Sequence, residues 1–158
     1  MKYGKLIETI EEIAPADLAP LWDNSGVQIY TGREEIERVL ICLEITEEVI
    51  KEAESKKAGM IITHHPLIFQ SIKKIDTNEI TGRYACRLIK SNICVYSAHL
   101  SFDNAGEGNN FYMAKLLRME NLKTPEIEGL REGSKEPAEL PCIITGELIR
   151  QMTPRETV

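Results

Sequence analysis

MIITHHPLIFQ, residues 60–70, is the stretch on which the reading of this chain turns. Met60 to Thr63 have the length and composition of a buried strand, and Pro66 marks the loop that follows. Two of the three histidines in the chain, His64 and His65, stand where that strand hands over to the loop. The same pattern recurs downstream: Ile93 to Ala98, ICVYSA, is a second apolar strand, and His99 follows it directly. Arg38 to Ile45, RVLICLEI, is a third run of strand length, and Val27 to Tyr30 a shorter one.

The segments between these strands read as helices. Thr46-Glu47-Glu48 supplies a capping hydroxyl and acids at the positive end of a helix dipole. That helix runs through Val49, Ile50 and Ala53 to Lys56-Lys57 and stops near Gly59. Ile80, Tyr84 and Leu88 recur at helical spacing, and Leu6, Ile7, Ile10 and Ile13 predict an N-terminal helix closed by Pro15. A further helix is predicted over about 108–118, and a last strand over Cys142 to Ile149. Residues 120–140 are polar and Pro-marked and read as a loop or boundary segment. Apolar strands alternating with helices predict an α/β fold, a largely parallel sheet covered by helices, in a single domain over 1–158.

Composition narrows the function classes. Hydrophobic content of 42% and charged content of 28% suit a globular chain with one core. No apolar run approaches the roughly 18–20 residues of a membrane span. The N-terminus MKYGKLIETIEEI lacks the apolar core of a signal peptide, so the expected location is cytoplasmic. The net charge of −6 argues against direct nucleic-acid binding, and Lys56-Lys57 and Lys73-Lys74 are isolated doublets. Cys42, Cys86, Cys94 and Cys142 show no CxxC spacing and read as small buried hydrophobes in a reducing compartment.

The histidines sit where α/β sheets place ligands, beyond the C-terminal ends of strands. Asp103, four residues after His99, adds a carboxylate. Neighbouring side chains on extended backbone point to opposite sides, which suits two ions better than one. Each imidazole would take one ion and Asp103 would bridge both; Zn²⁺, Mn²⁺, Fe²⁺ and Co²⁺ suit these donors. An ion pair favours hydrolysis. A bland reading stands beside this one, with His64 and His65 anchoring a loop by hydrogen bonds to backbone. Asn104, Gly106, Gly108 and Asn109 read either as turn formers or as a helix start facing an anion. Glu44 is either a solvated carboxylate or a partner for the histidines, and Asp23-Asn24 reads as an Asx-type turn.

THHPLIF, SAHLSFDNAGEGNN and the early PLWDNSGVQI together resemble the NIF-three-like family, the GTP cyclohydrolase I type 2 homologs. The resemblance runs in order along nearly the whole chain, to GELIRQMTPRETV. It implies an α/β fold, a two-metal site and a homo-oligomer built from dimers. His64 and His65 match the metal-binding double histidine, Asp103 the carboxylate of the second motif, and His99 the histidine preceding it, near the site; as an imidazole there His99 reads as a candidate proton shuttle. The family completes its site with a histidine and a glutamate late in its chain, and no histidine follows His99 here. Thr153-Pro154-Arg155-Glu156 reads as a helix opening with only two residues after it. These two observations predict the N-terminal part of a longer fold, with its C-terminal part missing and its two divalent ions absent or partly held. The expected activity is metal-dependent hydrolysis of a small nucleotide-like substrate. The alternative is a non-enzymatic metal-binding or regulatory protein acting through partners.

Overall fold

The computed structural model describes residues 1–124, 126–128, 137–139 and 143–150. The chain divides into two compact units, Met1–Phe102 and Asp103–Val158. The first unit is built on a four-stranded sheet of order β1-β4-β3-β2, with β1 Gly26–Ile29, β2 Val39–Cys42, β3 Met60–Thr63 and β4 Cys94–Ser97. β2, β3 and β4 run parallel and β1 pairs antiparallel with β4. The parallel core follows from helical crossovers, α2 Glu47–Ser55 between β2 and β3, and α3 Ile80–Lys90 between β3 and β4.

Alternation along the strands divides the core. Ile61 and Val95, register partners, join Ile29 on the face packed by Ile50 and Ala53 of α2 and by Ala85 and Leu88 of α3. Met60, Cys94 and Tyr96 turn to the other face, with Ile10, Leu6 and Ile7 of α1, Tyr3–Ile13. Both central strands are thus apolar on both sides, as their unbroken apolar runs require. Of the 38–45 run, Val39–Cys42 forms the strand, paired with Met60–Thr63, and backbone bonds from Gly59 to Arg38 at 2.9 Å and from His65 to Leu43 at 2.8 Å flank it. Thr46 caps α2 as predicted, accepting from the Val49 N–H at 3.3 Å.

One ionic cluster ties the two crossover helices. Arg87 donates to both carboxylate oxygens of Glu54, at 2.9 and 2.6 Å, and to Glu47 at 2.6 Å, while Ser91 Oγ donates to Glu54 at 2.8 Å. The Arg87 hydrogen bonds first, then Ser91, lower the Glu54 carboxyl from 4.5 to about 2. A depressed carboxyl favours the folded chain above its unfolded value, and that contribution fades as pH falls from 4.5 to about 2. Glu54→Gln should therefore flatten the acid limb of the stability curve in that window, measured by urea unfolding at successive pH values. An unaltered limb would show that the cluster contributes nothing in solution.

The second unit holds α5 Asn109–Leu116 and two antiparallel strand pairs. β5 Met119–Lys123 pairs with β8 Thr145–Leu148, and β6 Glu126–Glu128 with β7 Pro137–Glu139. Residues 120–140, expected as loop, thus carry strands. β8 falls within the strand predicted over 142–149, but β5 leaves most of its residues exposed, so no apolar alternation announced it. A four-residue helix, α4 Leu100–Asp103, occupies what reads as a polar turn. Cys142 and the 153–156 helix opening lie outside the described residues. Among those described, no helix is long and apolar enough to cross a membrane.

Candidate functional site

β3 and β4 pair in register, Thr63 opposite Ser97, so their C-terminal ends stand side by side. The two hydroxyls there are buried and committed to backbone. Ser97 Oγ donates to the His64 carbonyl at 2.8 Å, and Thr63 Oγ1 lies 3.1 Å from the carbonyls of Leu43 and His65. They give the His64 and His65 carbonyls partners where the chain bends at residues 64–65, while the Leu43 carbonyl also accepts the His65 N–H at 2.8 Å. That bend is the reason the two imidazoles do not diverge as they would on extended backbone. Their ring centroids lie 5.2 Å apart, and His99 lies 5.3 Å from His64 and 6.1 Å from His65. The three histidines form one cluster.

Each ring has its own environment. His64 Nδ1 is 2.9 Å from the Ala98 carbonyl. A carbonyl only accepts, so Nδ1 carries the proton and the lone pair of the neutral ring is on Nε2. His99 Nδ1 is 2.7 Å from Asp23 Oδ1, which gives it the same tautomer. His65 is half exposed, and its Nδ1 lies 3.9 Å from Glu44 Oε2, a distance of loose charge proximity rather than a hydrogen bond. Phe69 meets His99 edge-on, with centroids 6.1 Å apart.

Asn24 and Ser25 before β1, with Gln28 inside it, are tied to Ile68 and Ser101. Gln28 donates to the Asn24 carbonyl at 2.7 Å and accepts from the Ile68 N–H at 2.9 Å, while the Asn24 side chain donates to the Ile68 carbonyl. Ser101 N–H donates to Ser25 Oγ at 3.3 Å. Asp23 and Ser25 do form the Asx-type contact expected from sequence, Ser25 N–H to Asp23 Oδ2 at 3.1 Å. What sequence reading missed is the second oxygen, whose partner His99 is 76 residues away. Burial alone would push the Asp23 carboxyl up; the bonds from Ser25 and His99 and the His99 charge outweigh it and hold the carboxyl below its usual range.

Asp103 belongs to the second unit, where Asn109 Nδ2 donates to it at 2.8 Å. That bond favours the turn-forming reading of Asn109. Among the described residues no three His, Cys, Asp or Glu side chains converge as a ready-made ion cage. The donors themselves do suit a borderline divalent ion. His64 in particular has its ring fixed by a carbonyl at Nδ1, the arrangement by which imidazole ligands are oriented.

An α/β sheet with a histidine cluster at the ends of parallel strands defines the class. The chain belongs to the Duf34/NIF3 (NGG1p interacting factor 3) family, whose pattern it matches over residues 1–157. It is 40% identical over 117 residues to a GTP cyclohydrolase 1 type 2 homolog of Clostridium perfringens, covering 74% of this chain and 45% of that protein. A Helicobacter pylori protein named GTP cyclohydrolase 1 type 2 is 36% identical over 118 residues, covering 75% of this chain and 47% of the relative. Among solved structures, a Bacillus cereus protein related to NIF3 superposes with a TM-score of 0.71 at 36% identity, over 78% of this chain and 34% of that one. The reduced HcgD protein of Methanocaldococcus jannaschii gives 0.71 at 35% identity, over 78% and 49%. The chain thus spans less than half the length of these relatives.

Proposed function

We propose that this chain supplies the histidine-bearing part of a two-metal hydrolytic centre that acts on a small nucleotide-like molecule in the cytoplasm. The observation that carries the reading is the single cluster of His64, His65 and His99 at the ends of β3 and β4, with His64 oriented by a backbone carbonyl. The GTP cyclohydrolase 1 type 2 names of its relatives agree with a nucleotide-like substrate. His64 and His65 would hold the ions on the first unit, and divalent ions held there would supply Lewis acidity. The Ala98 carbonyl keeps Nε2 of His64 as the donor atom, and the buried Thr63 and Ser97 hydroxyls hold the bend that presents both rings. His99, held by Asp23, moves the proton. No Walker-type glycine loop is present in the sequence, so phosphate recognition would rest on other groups.

A second reading is a regulatory, metal-binding protein working through partner contacts, including further copies of itself in a homo-oligomer. The exposed apolar side chains Leu21, Trp22, Ile41 and Leu43 favour it. Screening the protein against a nucleotide library with Zn²⁺, Mn²⁺, Fe²⁺ or Co²⁺ separates the two. The enzyme reading expects metal-dependent turnover that falls by at least about 10²-fold in His64→Ala. Turnover that His64→Ala leaves intact would sink it, and metal binding without turnover would favour the regulatory role.

A further inference from the structure

The Asp23 side chain has no exposed surface, yet it is a carboxylate held below its usual range. Burying such a group is costly unless its oxygens are bonded, and here both are. Oδ2 takes the Ser25 backbone N–H at 3.1 Å and the Ser25 hydroxyl at 2.6 Å, and Oδ1 takes His99 Nδ1 at 2.7 Å. An Asx turn needs only the first contact and forms readily in solvent. It accounts neither for the burial nor for the aim of Oδ1 at an imidazole that is itself only 19% exposed.

We propose that Asp23 is a positioning residue for His99, and that the two form a built acid–base dyad at the edge of the histidine cluster. Asp23 fixes the Nδ1–H tautomer, so that Nε2 carries the lone pair that can take a proton from an O–H or N–H group. The Nε2–H bond forms as that bond breaks, and the same proton can then pass to a leaving group. Asp23 stays ionised throughout. The use of the dyad in a reaction rests on the hydrolase reading above; its existence does not.

Ser25 makes the test directional. Its N–H and hydroxyl both need an acceptor at the Oδ2 position. In Asp23→Asn the new amide oxygen must therefore take that place, which turns the amide N–H groups toward His99 Nδ1. His99 then has to accept there, and its proton moves to Nε2.

The measurement is ¹⁵N NMR of the histidine-labelled full chain, with a chelator present and above the ordinary imidazole titration range. Wild-type His99 is expected as the Nδ1–H tautomer and Asp23→Asn as Nε2–H. His64, bonded through Nδ1 to Ala98, serves as the internal control for an intact site. A wild-type His99 found mainly as Nε2–H overturns the proposal without any variant, and so does a tautomer that Asp23→Asn leaves unchanged. Where turnover is found, Asp23→Asn should lower kcat by about 10²-fold or more with KM little changed. An unaltered kcat would reduce Asp23 to a structural role. Absence of any turnover would defeat the hydrolase reading alone and leave the tautomer result standing.

Discussion

Gly82→Ala should destabilise the chain by about 2 kcal/mol, although alanine is the better helix former. Gly82 is buried within α3, where exchanging glycine for alanine would ordinarily gain about 1 kcal/mol. A Cβ there would lie 2.2 Å from the Asp76 carbonyl oxygen and 2.9 Å from the Asp76 N and C. These are backbone atoms and cannot swing aside like the end of a long side chain. Nor is the Asp76 turn loose: its carbonyl accepts from Glu79 N–H at 3.1 Å, and its carboxylate accepts twice from Asn78 at 3.0 Å. Overpacking of this kind costs about 1–3 kcal/mol and sometimes more, so the clash outweighs the propensity gain. For a chain of this size the loss corresponds to roughly 4–8 °C in Tm. Thermal and urea unfolding of the variant would check it, and a variant as stable as the parent would show that the 76–79 turn yields freely.

Gly82 also shows what sequence reading can and cannot reach. The spacing of Ile80, Tyr84 and Leu88 was enough to predict the helix, yet the glycine inside it has meaning only through a backbone six residues upstream. The same division runs through the fold. β3 and β4 are legible because both of their faces are buried, which leaves an unbroken apolar signature. The antiparallel course of β1 was not legible, since Gly26–Ile29 is four residues long and carries nothing that fixes its direction. β8, Thr145–Leu148, falls within the strand predicted over 142–149, whereas its partner β5 escaped because a largely exposed strand has no apolar face to reveal it.

At the site, the convergence of His64, His65 and His99 was inferred from one physical rule, that parallel strands bring their C-terminal ends together. The bend that gathers the first two rings was not. It depends on Thr63 and Ser97, whose hydroxyls look like ordinary strand residues until their carbonyl partners are known. Asp23 is the sharper lesson. Its local contact with Ser25 was correctly read as a turn, and that sufficient local explanation hid a partner 76 residues away. A buried carboxylate beside a histidine is a property of the folded chain alone.

Ile61→Ala should cost about 2–5 kcal/mol, while Ile41→Ala on the neighbouring strand should cost less than about 0.5 kcal/mol. The two residues sit one register step apart, since Ile61 pairs with Leu40 and Ile41 pairs with Ile62. They face opposite sides of the sheet. Ile61 has no exposed surface and lies in the cluster with Ile50, Ala53, Ala85, Leu88 and Val95, so truncation leaves a cavity that strands and two helices cannot easily close. Ile41 is 77% exposed at the edge strand, on the face where α1 packs only over the more central strands. It has little buried area to lose. Urea unfolding of both variants at low protein concentration, where association is weakest, measures the contrast directly. Similar losses in the two would mean that the face bearing Ile41 is covered in solution. A concentration-dependent loss for Ile41→Ala alone would assign that cover to another copy of the chain.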